Sequence, residues 1–238
     1  MIKQSAEFFI SPPLSPVKDM IFIPFCFATF CASKTFLELP EVDIPTKTSP
    51  SFPEADNILE YIGHTPLVRL NRMVTEDMAE VLVKFEALNA GGSIKTRTAW
   101  NMILDAEAKG LVKADTIIVE PTSGNQGIGL ALVGAVRGYK VVIIMPDSVS
   151  EERRKLVRHY GAEVKLVHDD GNIGEAIAEC VRIAEEMRAS DPRVYVPQQF
   201  SNPANPLIHE QATALEIWND TDGQVAVFVA GVGTGGTL

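Results

Sequence analysis

Six short runs of β-branched residues, separated by stretches of helical periodicity, constrain this chain more than any other feature. They are "AEVLVKFE" (79–86), "DTIIVEP" (115–121), "KVVIIMP" (140–146), "AEVKLVH" (162–168), "RVYVP" (193–197) and "VAVFVAG" (225–231). Turn formers bound them, as expected of strands. Between them, "SIKTRTAWNMILDAEAKG" places apolar residues at Ala99, Met102, Ile103 and Ala106 before Gly110, which predicts a helix. "NQGIGLALVGAVRG" is small and apolar nearly all round, so it predicts a buried helix. "SEERRKLVRHYG" opens with Ser and two acids and gathers basic residues before its Gly, matching a helix dipole. "NIGEAIAECVRIAEEMR" and "NPLIHEQATALEIW" complete the set, with Cys180 on the apolar face of the former. Strand and helix alternating in this way mean right-handed βαβ units on a parallel sheet.

The first 54 residues do not share this pattern. They hold eight of the eleven phenylalanines and eight of the fifteen prolines. The apolar stretch "MIFIPFCFATFCA" (20–32) is interrupted by Pro24 and falls short of the ~20 residues a membrane helix needs. Residues 1–54 are expected to be a leader outside the fold, and the fold to run from 55 to 238. The net charge of −10 disfavours nucleic acid and anionic membranes as partners, so any phosphate must be held by local backbone geometry. Three cysteines, Cys26, Cys31 and Cys180, make no disulfide framework and point to a reducing, cytoplasmic setting.

Ligands of open α/β sheets gather at the C-terminal ends of strands. Three unusual loops stand at such ends and are expected on one sheet: "NAGGSIK", "PTSGNQG" and "GVGTGGT". The last, 231–237, offers consecutive backbone N–H groups and two Thr hydroxyls, a geometry that suits phosphate. It lacks the Lys-Ser/Thr of an NTPase loop, and no acidic residue follows about 20 positions on, as a dinucleotide site requires. The second loop is rich in donors at a helix start: Thr122, Ser123, Asn125 and Gln126. Helix capping needs one such residue; four in five positions suit a carboxylate seat.

Lys95 lies between Ser93 and Thr96 where a helix begins. A cation at a helix N-terminus is disfavoured, so its pKa should fall, and an amine of depressed pKa is nucleophilic and forms Schiff bases. Phosphate cradle, carboxylate seat and Schiff-base lysine together describe an amino acid meeting pyridoxal phosphate.

The motifs "NILEYIGHTPLVRLNR" (57–72), "NAGGSIKTR", "PTSGNQGIGLAL", "RGYKVVIIMPDSVSEERRKLVRHYGAEV" and "VPQQFSNPANPLIHEQATALEIWNDTDGQVAVFVAGVGTGGTL" resemble the β-family of pyridoxal-phosphate enzymes (fold type II). Within it, "QQFSNPANP" is most similar to the cysteine synthases, with cystathionine β-synthases next. The resemblance implies an α/β fold of two three-layer αβα subdomains with largely parallel sheets, incomplete at the C-terminus. A smaller mobile subdomain would span about 97–197, and a larger one 55–96 plus 198–238. It implies Lys95 as cofactor carrier and base, Asn125 on the cofactor's 3′-oxygen, and Gly233, Thr234, Gly235, Gly236 and Thr237 on its phosphate. Thr122, Ser123, Gln126 and Gln199 would hold the substrate α-carboxylate. The implied reaction replaces the acetoxy group of O-acetylserine by sulfide. A homodimer and docking to serine acetyltransferase are implied as well. A dehydratase, or a non-catalytic remnant that binds carboxylates, are the competing readings.

Three positions depart from the family pattern. Thr96 stands where Asp is usual, Gln126 where Thr is usual and His64 where Asn is common. The histidines lack metal-ligand spacing, so no metal is expected. "EERRK" (151–155) is expected to be a solvated helix start.

Overall fold

The computed structural model describes residues 19–23 and 54–238. The strands form two four-stranded sheets. The first sheet is wholly parallel. It orders β6 (Glu163–Val167), β5 (Lys140–Pro146), β4 (Ile117–Pro121) and β7 (Val194–Tyr195) side by side. β5 is buried from Val141 onwards, as a continuous apolar run in a sheet covered on both faces should be. The second sheet orders β2 (Leu67–Arg69), β3 (Glu80–Lys84), β1 (Asp19–Ile23) and β8 (Val227–Ala230). β2 runs antiparallel to β3, and the other pairs are parallel.

β1 corrects one expectation. The leader was expected to stay outside the fold, yet the backbone of Asp19–Ile23 pairs with Glu80–Val83 on one side and Val227–Ala230 on the other. "DMIFI" is rich in Ile and Phe, which favour strands. The remainder of the leader, with Cys26 and Cys31, lies outside the described residues.

Among the described residues six α-helices connect the strands: α1 (Lys95–Ala108), α2 (Asn125–Arg137), α3 (Glu151–His159), α4 (Ile173–Ser190), α5 (Ala204–Ile208) and α6 (Ala214–Asp220). α2 is buried from Gln126 to Gly134, and Ile128, Leu130, Leu132 and Val133 join the main core. Each such side chain contributes about 1.5–3 kcal/mol by leaving water. Gly129 is what lets α2 lie against α1. A Cβ there would stand 2.9 Å from the Ala99 Cβ and 3.0 Å from the Lys95 carbonyl oxygen. Cys180 falls in the second core cluster with Val119, Val142 and Ile144.

Elsewhere the expected elements shorten or split. The run 193–197 yields a two-residue strand, since Pro197 has no N–H to give a ladder. "NPLIHEQATALEIW" divides into α5 and α6 around a π-helical turn, His209–Thr213. β2 escaped the periodicity because three residues are too few to show alternation. The three glycine-rich loops also do not share a sheet. Those after β3 and β8 end strands of one sheet, and that after β4 ends a strand of the other. Strand partnership across distant sequence cannot be read from local pattern, so the single-sheet expectation fails.

Candidate active site

The three loops enclose one cavity of about 590 Å³. Its walls include Ser93, Lys95, Thr122, Ser123, Asn125 and Gln126, then Arg153, Cys180, Gln199, Gly233, Thr234 and Gly235. Lys95 is the first residue of α1, with Ile94 in the N-cap position and no side-chain cap. The Ser93 Oγ instead accepts from the Lys95 backbone N–H at 3.2 Å. The Lys95 Nζ donates to Thr234 Oγ1 at 3.2 Å, which spans the cavity from the first loop to the third. Burial holds its amine below the usual lysine range. The sequence argument reached the same direction through the helix dipole; in the folded chain removal from water is the cause.

Thr234 is a junction. It also accepts from Asn205 Nδ2 at 3.0 Å and from the Gly236 N–H at 3.4 Å. Gly235 has φ +80° with open space where a Cβ would be, while a Cβ on Gly236 would meet the Asn205 side chain at 2.3–2.8 Å. The turn is thus glycine-built twice over, once by conformation and once by close approach. Thr237 and Gly233 complete its rim.

The second loop answers the capping question. The N-cap of α2 is Gly124, and no side chain caps the helix. Thr122 Oγ1 accepts only the Gly124 N–H, at 3.2 Å. The side chains of Ser123, Asn125 and Gln199 make no hydrogen bond among the described residues and border the cavity. First-turn amides with no side-chain cap are ready acceptors' partners for an anion.

Gln126 departs from its expected place. Its side chain is 1% exposed, and its Nε2 points to Met102 Sδ at 3.7 Å while Oε1 has no partner. It borders the cavity, but its amide nitrogen is turned to Met102 on α1. A Gln longer than the family's Thr reaches past the loop into the core. Thr96, in the family's Asp position, likewise has a buried Oγ1 without a partner among the described residues. His64 has φ +49°, a left-handed conformation that Asn adopts more readily.

Several functional neighbours were not singled out from the sequence. Arg153 and Arg154 are not a solvated helix face. Arg153 lines the cavity with Nη1 3.4 Å from the Ser123 carbonyl oxygen, and Arg154 donates to the Val149 carbonyl at 2.9 Å and to that of Asp147. Arg97 is 2% exposed and binds Glu86 through Nε and Nη2 at 2.8 and 2.9 Å, and Glu216 through Nη1 and Nη2 at 2.5 and 2.7 Å. Lys84, fully buried, adds Glu216 at 2.9 Å and Asp220 at 3.3 Å. Burial pushes the Glu216 carboxyl up, but the bonds from Arg97 and Lys84 win and hold it at about 2. This network fastens the lysine loop to α6.

Glu120 and Asn205 are also buried polar groups beside the cavity. Asn205 Nδ2 donates to the Gln199 carbonyl at 2.8 Å as well as to Thr234. His209 bonds Thr98 at 3.3 Å and Thr213 at 3.0 Å. Burial first, then Lys95 and Arg97, depress its ring to about 4. Among the described residues no group of three His, Cys, Asp or Glu is placed to hold a metal, and no helix is long and apolar enough to cross a membrane.

The chain is similar to several known proteins. The chain is 54% identical over 184 residues to "Cysteine synthase A" of Salmonella typhi, covering 77% of this chain and 54% of the relative. It is 49% identical over 182 residues to "Cysteine synthase" of a Flavobacterium species, covering 76% and 58%. The chain therefore spans little more than half the length of these relatives. Among solved structures, a hydrogen sulfide-producing enzyme of Fusobacterium nucleatum superposes with TM-score 0.72 at 44% identity, covering 79% of this chain and 60% of that one. O-ureido-L-serine synthase gives 0.70 at 45% identity, covering 78% and 57%.

The cavity suits the cofactor these relatives imply. An aldehyde would meet a half-buried amine of depressed pKa, and an anionic tail would meet a turn with N–H groups and no Cβ in its way at Gly235. The model of the family described as "Pyridoxal-phosphate dependent enzyme" matches residues 58–238, and the chain belongs to that family.

Proposed function

We propose that the chain carries the cofactor and amino-acid sites of a cysteine synthase, replacing the acetoxy group of O-acetylserine by sulfide to give cysteine and acetate. The observation that carries the reading is the bond from Lys95 Nζ to Thr234 Oγ1, which joins a nucleophilic amine to the phosphate turn in one cavity. Bound pyridoxal phosphate supplies a sink for the negative charge left when the substrate loses its Cα proton.

The chain's own residues do the rest. Lys95 holds the cofactor through its amine, and burial keeps that amine poised to accept the Cα proton at Nζ. Asn125 would hydrogen-bond the cofactor's 3′-oxygen, and Gly233, Thr234, Gly235, Gly236 and Thr237 would hold its phosphate. Thr122, Ser123, Gln199 and the first amides of α2 seat the α-carboxylate. Gln126 contributes its main chain, since its side chain is engaged at Met102. Residues 97–197, which contain the parallel sheet of β4 to β7, close over 55–96 plus 198–238 once the carboxylate is seated. The same reading includes homodimerisation and docking of serine acetyltransferase, and light scattering with and without that partner tests both.

O-ureido-L-serine synthase is a competing reading, favoured by the fold likeness at 45% identity. The experiment loads the chain with pyridoxal phosphate, reduces with borohydride and maps the tagged peptide. In a separate, unreduced sample, cysteine is assayed from O-acetylserine with sulfide, beside hydroxyurea as alternative nucleophile. Lys95 should carry the tag. Lys95→Ala should lose the tag and about 10²–10⁴-fold of the rate, as for removal of a positioned base. Equal cysteine output from the variant overturns the assignment.

A further inference from the structure

One buried acid beside the cavity has no part in the chemistry above. Glu120, on β4, is 1% exposed. Its Oε2 accepts the Gln198 N–H at 3.0 Å and its Oε1 accepts the Gln199 N–H at 3.2 Å. Two consecutive amides on one carboxylate fix both dihedrals between them. That matters here because Gln198 has φ +60°, a conformation costly for a residue with a Cβ. The turn persists only if something outside it holds it. Gln199 is then gripped from its other side by Asn205 Nδ2, which also bonds Thr234, the partner of Lys95 Nζ. A continuous line runs Glu120, Gln199, Asn205, Thr234, Lys95.

We propose that Glu120 is a positioning residue for the α-carboxylate seat: its carboxylate holds the strained Gln198–Gln199 turn so that the Gln199 side chain meets the substrate. The proposal rests on the reading of that seat given above. A site needing only a scaffold would place an apolar residue at position 120, because a buried carboxylate without a cation is costly. No salt bridge among the described residues involves Glu120. Titratable groups on the elements packed about β4 are Tyr195 on β7, Arg137 at the C-terminal end of α2, Lys140 at the far end of β5, and on α4 Cys180 with Glu175, Glu179, Arg182, Glu185, Glu186 and Arg188. Of these, Glu185 bonds the Gln198 side chain at 3.0 Å, and Lys140 pairs outward with Glu163. Burial raises the Glu120 carboxyl to about 7 against the pull of the two amides. The carboxylate that grips both amides is therefore the form that prevails above pH 7.

The test compares Glu120→Gln with the wild-type chain loaded with pyridoxal phosphate. Hydrogen exchange reports on the amides of Gln198 and Gln199. Calorimetry measures L-alanine, an α-amino carboxylate with nothing to eliminate, and pyridoxal phosphate itself. The expected result is exchange at both amides at least about tenfold faster and L-alanine bound about tenfold more weakly, the loss of one charge-assisted bond. Cofactor affinity should stay within about twofold in the same variant, because Asn205 still holds Thr234. Unchanged exchange overturns the proposal. So does an equal loss for both ligands, which marks a merely structural residue. A wild-type chain that binds cofactor but not L-alanine fails the seat itself, and the exchange measurement still decides whether Glu120 fixes the turn. Should the variant not fold, wild-type exchange is followed with pH after correction for base catalysis. Protection of both amides should then fall below pH 7, and a flat profile overturns the proposal.

Discussion

At the scale of single residues, Gln126 buries a carbonyl oxygen that has no partner among the described residues, while its amide nitrogen faces Met102. Such an orphan costs about 1–3 kcal/mol. Gln126→Met keeps the volume and removes the polar atoms. Urea unfolding should show it about 1 kcal/mol more stable than the parent. Seating of an α-amino carboxylate should survive, since Thr122, Ser123 and Gln199 remain. Lys95 was legible because glycines and a serine before a lone lysine at a helix start are unusual. Glu120 was not, because its meaning lies in amides nearly eighty positions away.

Between elements, the ion network ties α1 and the segment before the lysine loop to α6. Arg97 follows Lys95 by two positions, and Glu216 lies on α6, the last helix before β8. Gly63, with φ +96°, makes room for both: a Cβ there would come within 2.9 Å of each. Removing one partner of a buried, hydrogen-bonded pair strands the other. Arg97→Met should therefore cost about 3–5 kcal/mol of unfolding free energy by urea denaturation. Arg97→Lys should recover little, because one ammonium cannot replace a fork bonded to two carboxylates. Helices α1 to α4 and strands β4 to β6 were readable from period and punctuation alone. The π-helical turn at His209–Thr213 and the placing of β1 between β3 and β8 were not, since each depends on partners distant in sequence.

Across the whole molecule, buried titratable groups oppose one another. Glu120 is raised from 4.5 to about 7. Its stabilisation is complete below pH 4.5 and is lost as pH rises through 7. His209 is lowered from 6.5 to about 4. Its stabilisation is present above pH 6.5 and is lost as pH falls through 4. Between pH 4.5 and 6.5 the two slopes cancel, and stability of the chain should be nearly flat. Glu120→Gln should uncover a stability that rises with pH in that window, and His209→Gln one that falls; urea titrations at pH 4.5, 5.5 and 6.5 measure both. By itself the sequence determined the local matters. These were the alternation of strand and helix, the three loops rich in glycine or small polar residues, and the amine at position 95. Such features follow from backbone sterics and short-range periodicity, which act over a few residues. Only the tertiary structure decided which sheet each loop ends, that Gln126 turns inward, and that Glu120 and Arg97 become buried polar anchors. Those outcomes depend on what leaves water together, and burial is a property of residues brought close by the fold, not of their order along the chain.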